Sequence, residues 1–320
     1  MEELETPRLE HGEVLIMNKA FGICGSDIEI YQGHRVVRTP LVMGHEATGV
    51  VVDVEKSVSS LSIGDHVVIE PNFFCGKCPH CRVGRTNLCS NKIVLGVNYD
   101  GAFAEYVKVP EMYAWKLPTN LDFVKATLIE PLSVVVHALK DLSVMPGDNV
   151  LIIGGGPIGA LAAQLLREIS ANVVIQEALP TRRAILEKMG LQVVGTSDEE
   201  EKKINDLFNG KGADLAIDAA GNRTTVIQAL KMVKPGGTLV IVGLTETKAE
   251  LPVHQVVRRE INIRGSIIYT GEFAKAIELM RKKADLFSKV ITHIFSLSHF
   301  KEALEIAVER KCLKAVIKNY

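Results

Sequence analysis

The stretch from Asn149 to Glu177 constrains this chain more than any other. An apolar strand, Val150-Leu151-Ile152-Ile153, runs into Gly154-Gly155-Gly156-Pro157-Ile158-Gly159. The apolar residues from Ile158 on, Leu161, Ala162, Leu165, Leu166 and Ile169, then form one stripe at helical spacing, so a helix starts in the glycine turn. Gly154 permits the tight turn, Gly156 lets a pyrophosphate approach the backbone, and Gly159 lets helix and strand pack closely. With Pro157 and Ile158 between the last two glycines, the helix N-terminus presents free N–H groups and a positive dipole end to phosphate. A second strand, Asn172 to Gln176, ends at Glu177, where an acid meets the adenosine ribose hydroxyls of a dinucleotide. Arg182 and Arg183 follow closely and suit a phosphate, but Glu177 repels a 2′-phosphate, so the pattern favours NAD over NADP.

The second half of the chain repeats the alternation. Helices are expected over Pro180 to Met189, from a capping box at Asp198 and Glu201 to Phe208, and over Thr224 to Val233. Strands are expected at Gln192 to Val194, Asp214 to Asp218, Thr238 to Val242 and Ile261 to Ile268, with Pro235-Gly236-Gly237 as a turn. Six strands with intervening helices imply an α/β, doubly wound, six-stranded parallel sheet of order 3-2-1-4-5-6, with the cofactor at its switch point.

Four of the six cysteines cluster as Cys75-x2-Cys78-x2-Cys81-x7-Cys89, the tetrahedral sulfur set that zinc prefers. The alternatives, paired disulfides or a redox pair, are disfavoured in a reducing compartment. Four thiolates around Zn²⁺ carry a net −2, which Lys77, Arg82, Arg85 and Lys92 in the same segment offset. Cys24 stands apart, as do Gly44-His45-Glu46; each has an ordinary structural explanation alone. The N-terminus is acidic and lacks an apolar leader, and no run reaches the length of a membrane span, which gives a cytoplasmic expectation. A net charge of −1 without a basic block argues against nucleic acid or a membrane as the main partner.

Read together, Gly22-Ile23-Cys24-Gly25-Ser26-Asp27, Gly44-His45-Glu46, the cysteine quartet, Asp100-Gly101-Ala102-Phe103-Ala104-Glu105-Tyr106, Glu130-Pro131-Leu132-Ser133 and the glycine loop resemble, in that order, the zinc-dependent medium-chain dehydrogenases. The chain is most similar to the polyol (sorbitol-type) and threonine branch of that superfamily. The resemblance implies a Rossmann sheet, residues 133–269, inserted into a mainly β GroES-like catalytic domain, residues 1–132 and 270–320, with the two domains meeting in a cleft. It implies two zinc ions per chain: a structural one on the quartet and a catalytic one on Cys24 and His45. Glu46 and Glu130 would complete the catalytic ligands directly or through bound water, and Ser26 would relay the alcohol proton. It also implies a homodimer or homotetramer.

The chemistry explains those residue types independently. Zn²⁺ lowers the pKa of bound water from 15.7 to about 7, and a coordinated alcohol should likewise become an alkoxide that expels hydride to NAD. Three departures bear on substrate. Ile268 precedes Tyr269 where polyol dehydrogenases carry Arg-Tyr, Ile30 stands in place of a Tyr, and Glu29 stands where threonine dehydrogenases carry His. The expected substrate is a secondary alcohol or sugar alcohol, with threonine-type and butanediol-type activity as alternatives. A non-catalytic NAD(H) sensor or scaffold is the alternative of a different class, marked by a broken ligand set that this chain does not have. By the same resemblance the family's first strand lies upstream of Met1, which gives the expectation of an earlier start codon. His66 and His137 read as structural, and Cys312 as a buried thiol.

Overall fold

The computed structural model describes residues 2–244 and 248–319. By contact density the chain divides into two compact units, Met1–Ser133 with Tyr269–Tyr320, and Val134–Ile268.

In the first unit the chain forms β1 (Glu13–Gly22), β2 (Glu46–Val54), β3 (His66–Ile69), β4 (Asn72–Phe73), β5 (Ile93–Val94), β6 (Tyr106–Pro110) and β7 (Ala114–Lys116). The second unit supplies β8 (Asn149–Ile153), β9 (Asn172–Gln176), β10 (Gln192–Val194), β11 (Ala213–Asp218), β12 (Val233–Ile241) and β13 (Asn262–Gly265). The chain returns to the first unit for β14 (Ile291–Ser296) and β15 (Lys314–Lys318).

The first unit is built on a seven-stranded sheet of order β14-β15-β1-β2-β3-β7, with β6 also pairing β1. Strand β1 is its organiser, antiparallel to β15, β2 and β6. Its residues alternate into a core of Val14, Ile16, Phe21, Val51, Val67, Ile69, Val107 and Ile317, all buried. Burying such branched and aromatic side chains contributes roughly 1.5–3 kcal/mol each. The register matters for function: Gly22 pairs with Glu46 on one side and Val316 on the other, so three distant segments converge at the end of β1. The β4–β5 ribbon carries the cysteine lobe.

The second unit is a six-stranded sheet of order β10-β9-β8-β11-β12-β13, every pair parallel. This is the doubly wound order expected from the βα alternation. Strands β8 and β9 are almost wholly apolar and buried, as sheets covered by helices on both faces require. Helices Pro157–Glu168, Pro180–Lys188, Asp198–Leu207 and Arg223–Met232 connect the strands.

Several local expectations need correction. The helix expected to be capped by Asp198 is capped by Ser197, whose Oγ accepts the Glu200 N–H at 3.3 Å; Asp198 is already its first helical residue. A serine directly before a run of acids competes for the cap, and it won because Glu200 also turns back to accept the Gly195 N–H. Pro235-Gly236-Gly237 is not a free turn but an irregularity within β12, where the register to β11 shifts between Ala213 and Leu215. Proline and glycine mark bulges as well as turns, and sequence alone does not distinguish them. The sixth strand is confined to Asn262–Gly265 rather than running to Ile268. Among the described residues no helix is long and apolar enough to cross a membrane.

Candidate metal centres and dinucleotide cradle

Cys24 ends the β1 turn and caps the helix Gly25–Tyr31, with Ser26 on its first turn. Glu46 opens β2 and His45 precedes it, so the β1–β2 pairing brings both beside Cys24. One ligand atom from each of Cys24, His45 and Glu46 lies within 4.8 Å of the others. Tetrahedral zinc with bonds of about 2.0–2.3 Å needs ligand atoms roughly 3.3–3.8 Å apart, so the set fits with small side-chain adjustments. The donor chemistry, a thiol, an imidazole and a carboxylate, is also that of zinc.

Asp27 organises this centre, although the sequence reading took it only as part of a motif. It is fully buried; Oδ2 accepts the Cys24 N–H at 2.9 Å and Oδ1 lies 3.3 Å from His45 Nδ1. One carboxylate therefore caps the helix and orients the imidazole so that Nε2 is left to face a metal. Burial by itself would lower the His45 pKa, but the Asp27 and Cys24 charges outweigh it and hold it well above the ordinary value. A bound cation would satisfy the same negative field.

Lys314 is the residue that sequence reasoning missed most clearly. It is 2 % exposed, and its Nζ meets both Glu46 oxygens, at 2.5 Å from Oε1. Burial would lower its pKa, yet Glu46 and Cys24 raise it above the ordinary lysine value. The only sequence signal was a lysine in the apolar run Cys312 to Ile317. Gly22 is required beneath this pair, because a Cβ there would strike Glu46 Oε2 and come within 2.9 Å of Lys314 Cε.

Glu130 lies outside that tight ligand set. It sits at the start of the helix Ile129–Leu139, 7 % exposed, in electrostatic contact with Glu46, His45 and Lys314 and hydrogen-bonded to Tyr269. Burial and the Glu46 charge push its carboxyl up to about 7.

The cysteine lobe brings one sulfur from each of Cys75, Cys78, Cys81 and Cys89 within 4.8 Å of the others, and no disulfide links any of the cysteines among the described residues. Cys78 and Cys81 Sγ are 3.5 Å apart, far beyond the ~2.05 Å of a disulfide. Backbone N–H groups face the sulfurs: those of Cys81 and Ser90 draw the Cys78 thiol down to about 5, while burial and its thiol neighbours push Cys81 up to about 12. Four sulfurs with amide donors on a short loop fit a closed zinc site.

In the second unit Gly156 caps the helix Pro157–Glu168, with Pro157 as the first helical residue. A Cβ at Gly159 would overlap the Gly154 carbonyl oxygen, which makes glycine obligatory there. A Cβ at Gly156 would meet only Arg182 Nη1, at 3.9 Å. The turn is thus open to a phosphate, with the N–H groups of Ile158 and Gly159 at the helix start and Arg182 alongside. Glu177 has a task the spacing did not reveal. Its carboxylate accepts the Gly155 N–H at 2.7 Å and the Leu179 N–H at 2.8 Å, which locks the glycine turn to the end of β9. Each oxygen keeps a second lone pair for a ribose hydroxyl. Arg183 donates instead to the Glu177 and Ala178 carbonyls. His66 packs on Phe123 at 4.6 Å and Cys312 is 3 % exposed, both as expected for structural residues.

Residues 10–119 match the family described as the alcohol dehydrogenase GroES-like domain, and residues 157–282 the one described as zinc-binding dehydrogenase. The chain is 35 % identical to the sorbitol dehydrogenase of Bacillus subtilis strain 168 over 328 residues, covering 99 % of this chain and 93 % of the relative. It is 34 % identical to the L-threonine 3-dehydrogenase of Caldanaerobacter subterraneus subsp. tengcongensis, covering 98 % and 93 %. The solved structure of the rspB alcohol dehydrogenase of Escherichia coli CFT073, complexed with NADH, superposes with a TM-score of 0.91 at 30 % identity, covering 98 % of this chain and 94 % of that one.

Proposed function

The chain belongs to the zinc-dependent medium-chain alcohol dehydrogenases, and from that premise we propose that it oxidises a secondary alcohol or sugar alcohol with NAD, using Cys24, His45 and Glu46 as the catalytic zinc ligands. Membership makes the protein a zinc-binding, NAD-dependent alcohol or polyol dehydrogenase. The observation that carries the residue assignment is the convergence of three zinc-type donors within 4.8 Å, with the buried Asp27 behind His45.

Zinc on this set supplies Lewis acidity that makes a coordinated hydroxyl acidic near neutral pH. The chain's own residues do the rest. Asp27 fixes the His45 ring, and Lys314 holds the Glu46 carboxylate at the rim of the centre. Cys⁻, neutral His and Glu⁻ together balance Zn²⁺, whereas a second ionised glutamate in the set would leave −1. Ser26 Oγ, two residues from Cys24 and half-buried, takes the proton from the alcohol oxygen and passes it outward. NAD, when bound, would supply the acceptor for the hydride given up as the carbinol carbon becomes a carbonyl. Gly154, Gly156, Pro157, Ile158, Gly159 and Arg182 hold the dinucleotide phosphates, and Glu177 accepts from the ribose and rejects a 2′-phosphate. Cys75, Cys78, Cys81 and Cys89 hold a second, structural zinc. The assembly is a homodimer or homotetramer, which light scattering on the purified protein measures.

The substrate class rests on the resemblance to the polyol branch. Ile30 and Ile268 stand where that branch carries polar residues, which favours a less hydroxylated alcohol. The test is NADH formation with NAD or NADP in turn against sorbitol, xylitol, galactitol, butane-2,3-diol, L-threonine and simple secondary alcohols, before and after chelation. Chelator-sensitive turnover with NAD is expected. Preference for NADP would overturn the role of Glu177, and absence of turnover in protein holding zinc at both centres would overturn the proposed substrate class.

A further inference from the structure

Tyr269 faces Glu130 from the returning chain. Tyr269 is 1 % exposed, and its ring packs edge-on against Phe273 at 5.0 Å. Its hydroxyl accepts a 2.6 Å hydrogen bond from Asn72 Nδ2 and is also bonded to Glu130. With the oxygen's acceptor side taken by Asn72, the single O–H proton goes to the Glu130 carboxylate. Two features hold the tyrosine in this pose. Ile268 before it has φ +55°, a left-handed conformation that β-branched residues rarely adopt and that persists only where the surroundings enforce it. Thr270 after it donates to the Gly84 carbonyl at 2.8 Å and lies 2.7 Å from Thr86 Oγ1, both in the cysteine lobe. Asn72 belongs to the same lobe, three residues before Cys75.

Accordingly, we propose that Tyr269, backed by Asn72, is a positioning residue that holds the Glu130 carboxylate out of the Cys24–His45–Glu46 ligand set. This rests on the reading of that set as the catalytic zinc centre. A hydroxyl on a residue 1 % exposed, with its single proton already given to Glu130, has none to donate to substrate, so Tyr269 acts through Glu130. The consequence is a division of labour between the two glutamates. Glu46, held by Lys314, would coordinate directly; Glu130, tethered by Tyr269, stays beside the centre as an acceptor for the substrate hydroxyls. The cysteine lobe thereby gains a second task, since it fixes both Asn72 and Thr270 and through them the tether.

The test uses full-length protein carrying cobalt(II) at the Cys24–His45–Glu46 centre and zinc at the cysteine quartet. Tyr269→Phe keeps the buried ring and removes only the hydroxyl, and Asn72→Leu removes the group behind it. The expected result is a shift of the visible cobalt bands in both variants, larger for Tyr269→Phe. Tyr269→Phe should also lower kcat by about tenfold, with KM for NAD unchanged. The double variant should match Tyr269→Phe alone, because the two groups act in one chain of hydrogen bonds. A wild-type cobalt spectrum in Tyr269→Phe would overturn the proposal. Glu130→Gln separates this failure from that of the underlying reading: if it too leaves spectrum and turnover untouched, Glu130 is not part of the catalytic centre at all.

Discussion

The two proposed zinc centres lie in the same unit and are built on opposite principles. The cysteine quartet comes from fifteen consecutive residues, Cys75 to Cys89, whose backbone N–H groups already face the sulfurs. It needs little from the rest of the fold and has no open position. The Cys24–His45–Glu46 centre is assembled from separate segments, and its members have partners of their own: Asp27 steadies the His45 ring, Lys314 competes for the Glu46 oxygens, and Glu130 stands beside them. Its ligands are held in balance rather than saturated. A centre that must exchange a bound hydroxyl needs that competition, and one that only cross-links a loop does not.

The sharpest way to break this comparison is to remove one ligand from each centre. Cys24→Ser should cut kcat by about 10³-fold or more, reduce zinc to one per chain, and leave the melting temperature within a few degrees. Turnover assays, metal analysis and calorimetry read the three. Cys78→Ala should do the reverse. Loss of a closed site whose binding energy is folding energy should lower the melting temperature by about 10 °C or more. Any residual activity should vanish only where the lobe unfolds.

Lys314→Met probes the competition itself. In zinc-free protein it leaves Glu46 buried without a counter-charge, at a cost of about 4 kcal/mol in denaturant unfolding. With zinc bound, the metal replaces the lysine as partner and the cost should fall by more than half. Equal destabilisation with and without zinc would mean that Glu46 does not face the metal.

The smallest expected effect concerns Glu70, which follows β3 directly. It accepts from Trp115 Nε1 at 2.7 Å and is 7 % exposed. Burial raises its carboxyl from 4.5 to about 7, Trp115 opposes this, and Glu272 adds to it. Because the folded value lies above the unfolded one, ionising Glu70 costs stability. Its contribution is intact below about pH 4.5 and is lost as pH rises through about 7. Glu70→Gln keeps the acceptor for Trp115 and removes the charge. It should flatten the stability profile between those limits and stabilise the protein above pH 7 by up to about 3 kcal/mol.

What the sequence revealed follows the same division. Contiguous patterns were legible: the quartet, the glycine loop with Glu177, and the doubly wound strand order all depend on residues near one another in the chain. Cys24, His45 and Glu46 were legible as motifs, but not as a balanced centre. Lys314 is 268 residues from Glu46, and only the pairing of β15 and β2 on either side of β1 brings them together. The grip of Asp27 on His45 and the tether from Tyr269 to Glu130 are likewise products of tertiary register. Local competition hid the smaller features, as when Ser197 displaced Asp198 as cap, and when a Pro-Gly-Gly run formed an irregularity in β12 instead of a turn.

The most direct test of two unequal centres is stepwise chelation of the purified protein, following zinc content, NADH formation and unfolding on the same samples. Two zinc ions per chain are expected. The first should leave with all turnover and little loss of structure, and the second only as the cysteine lobe unfolds. Turnover that survives the first loss, or both ions leaving together with unfolding, would contradict the account.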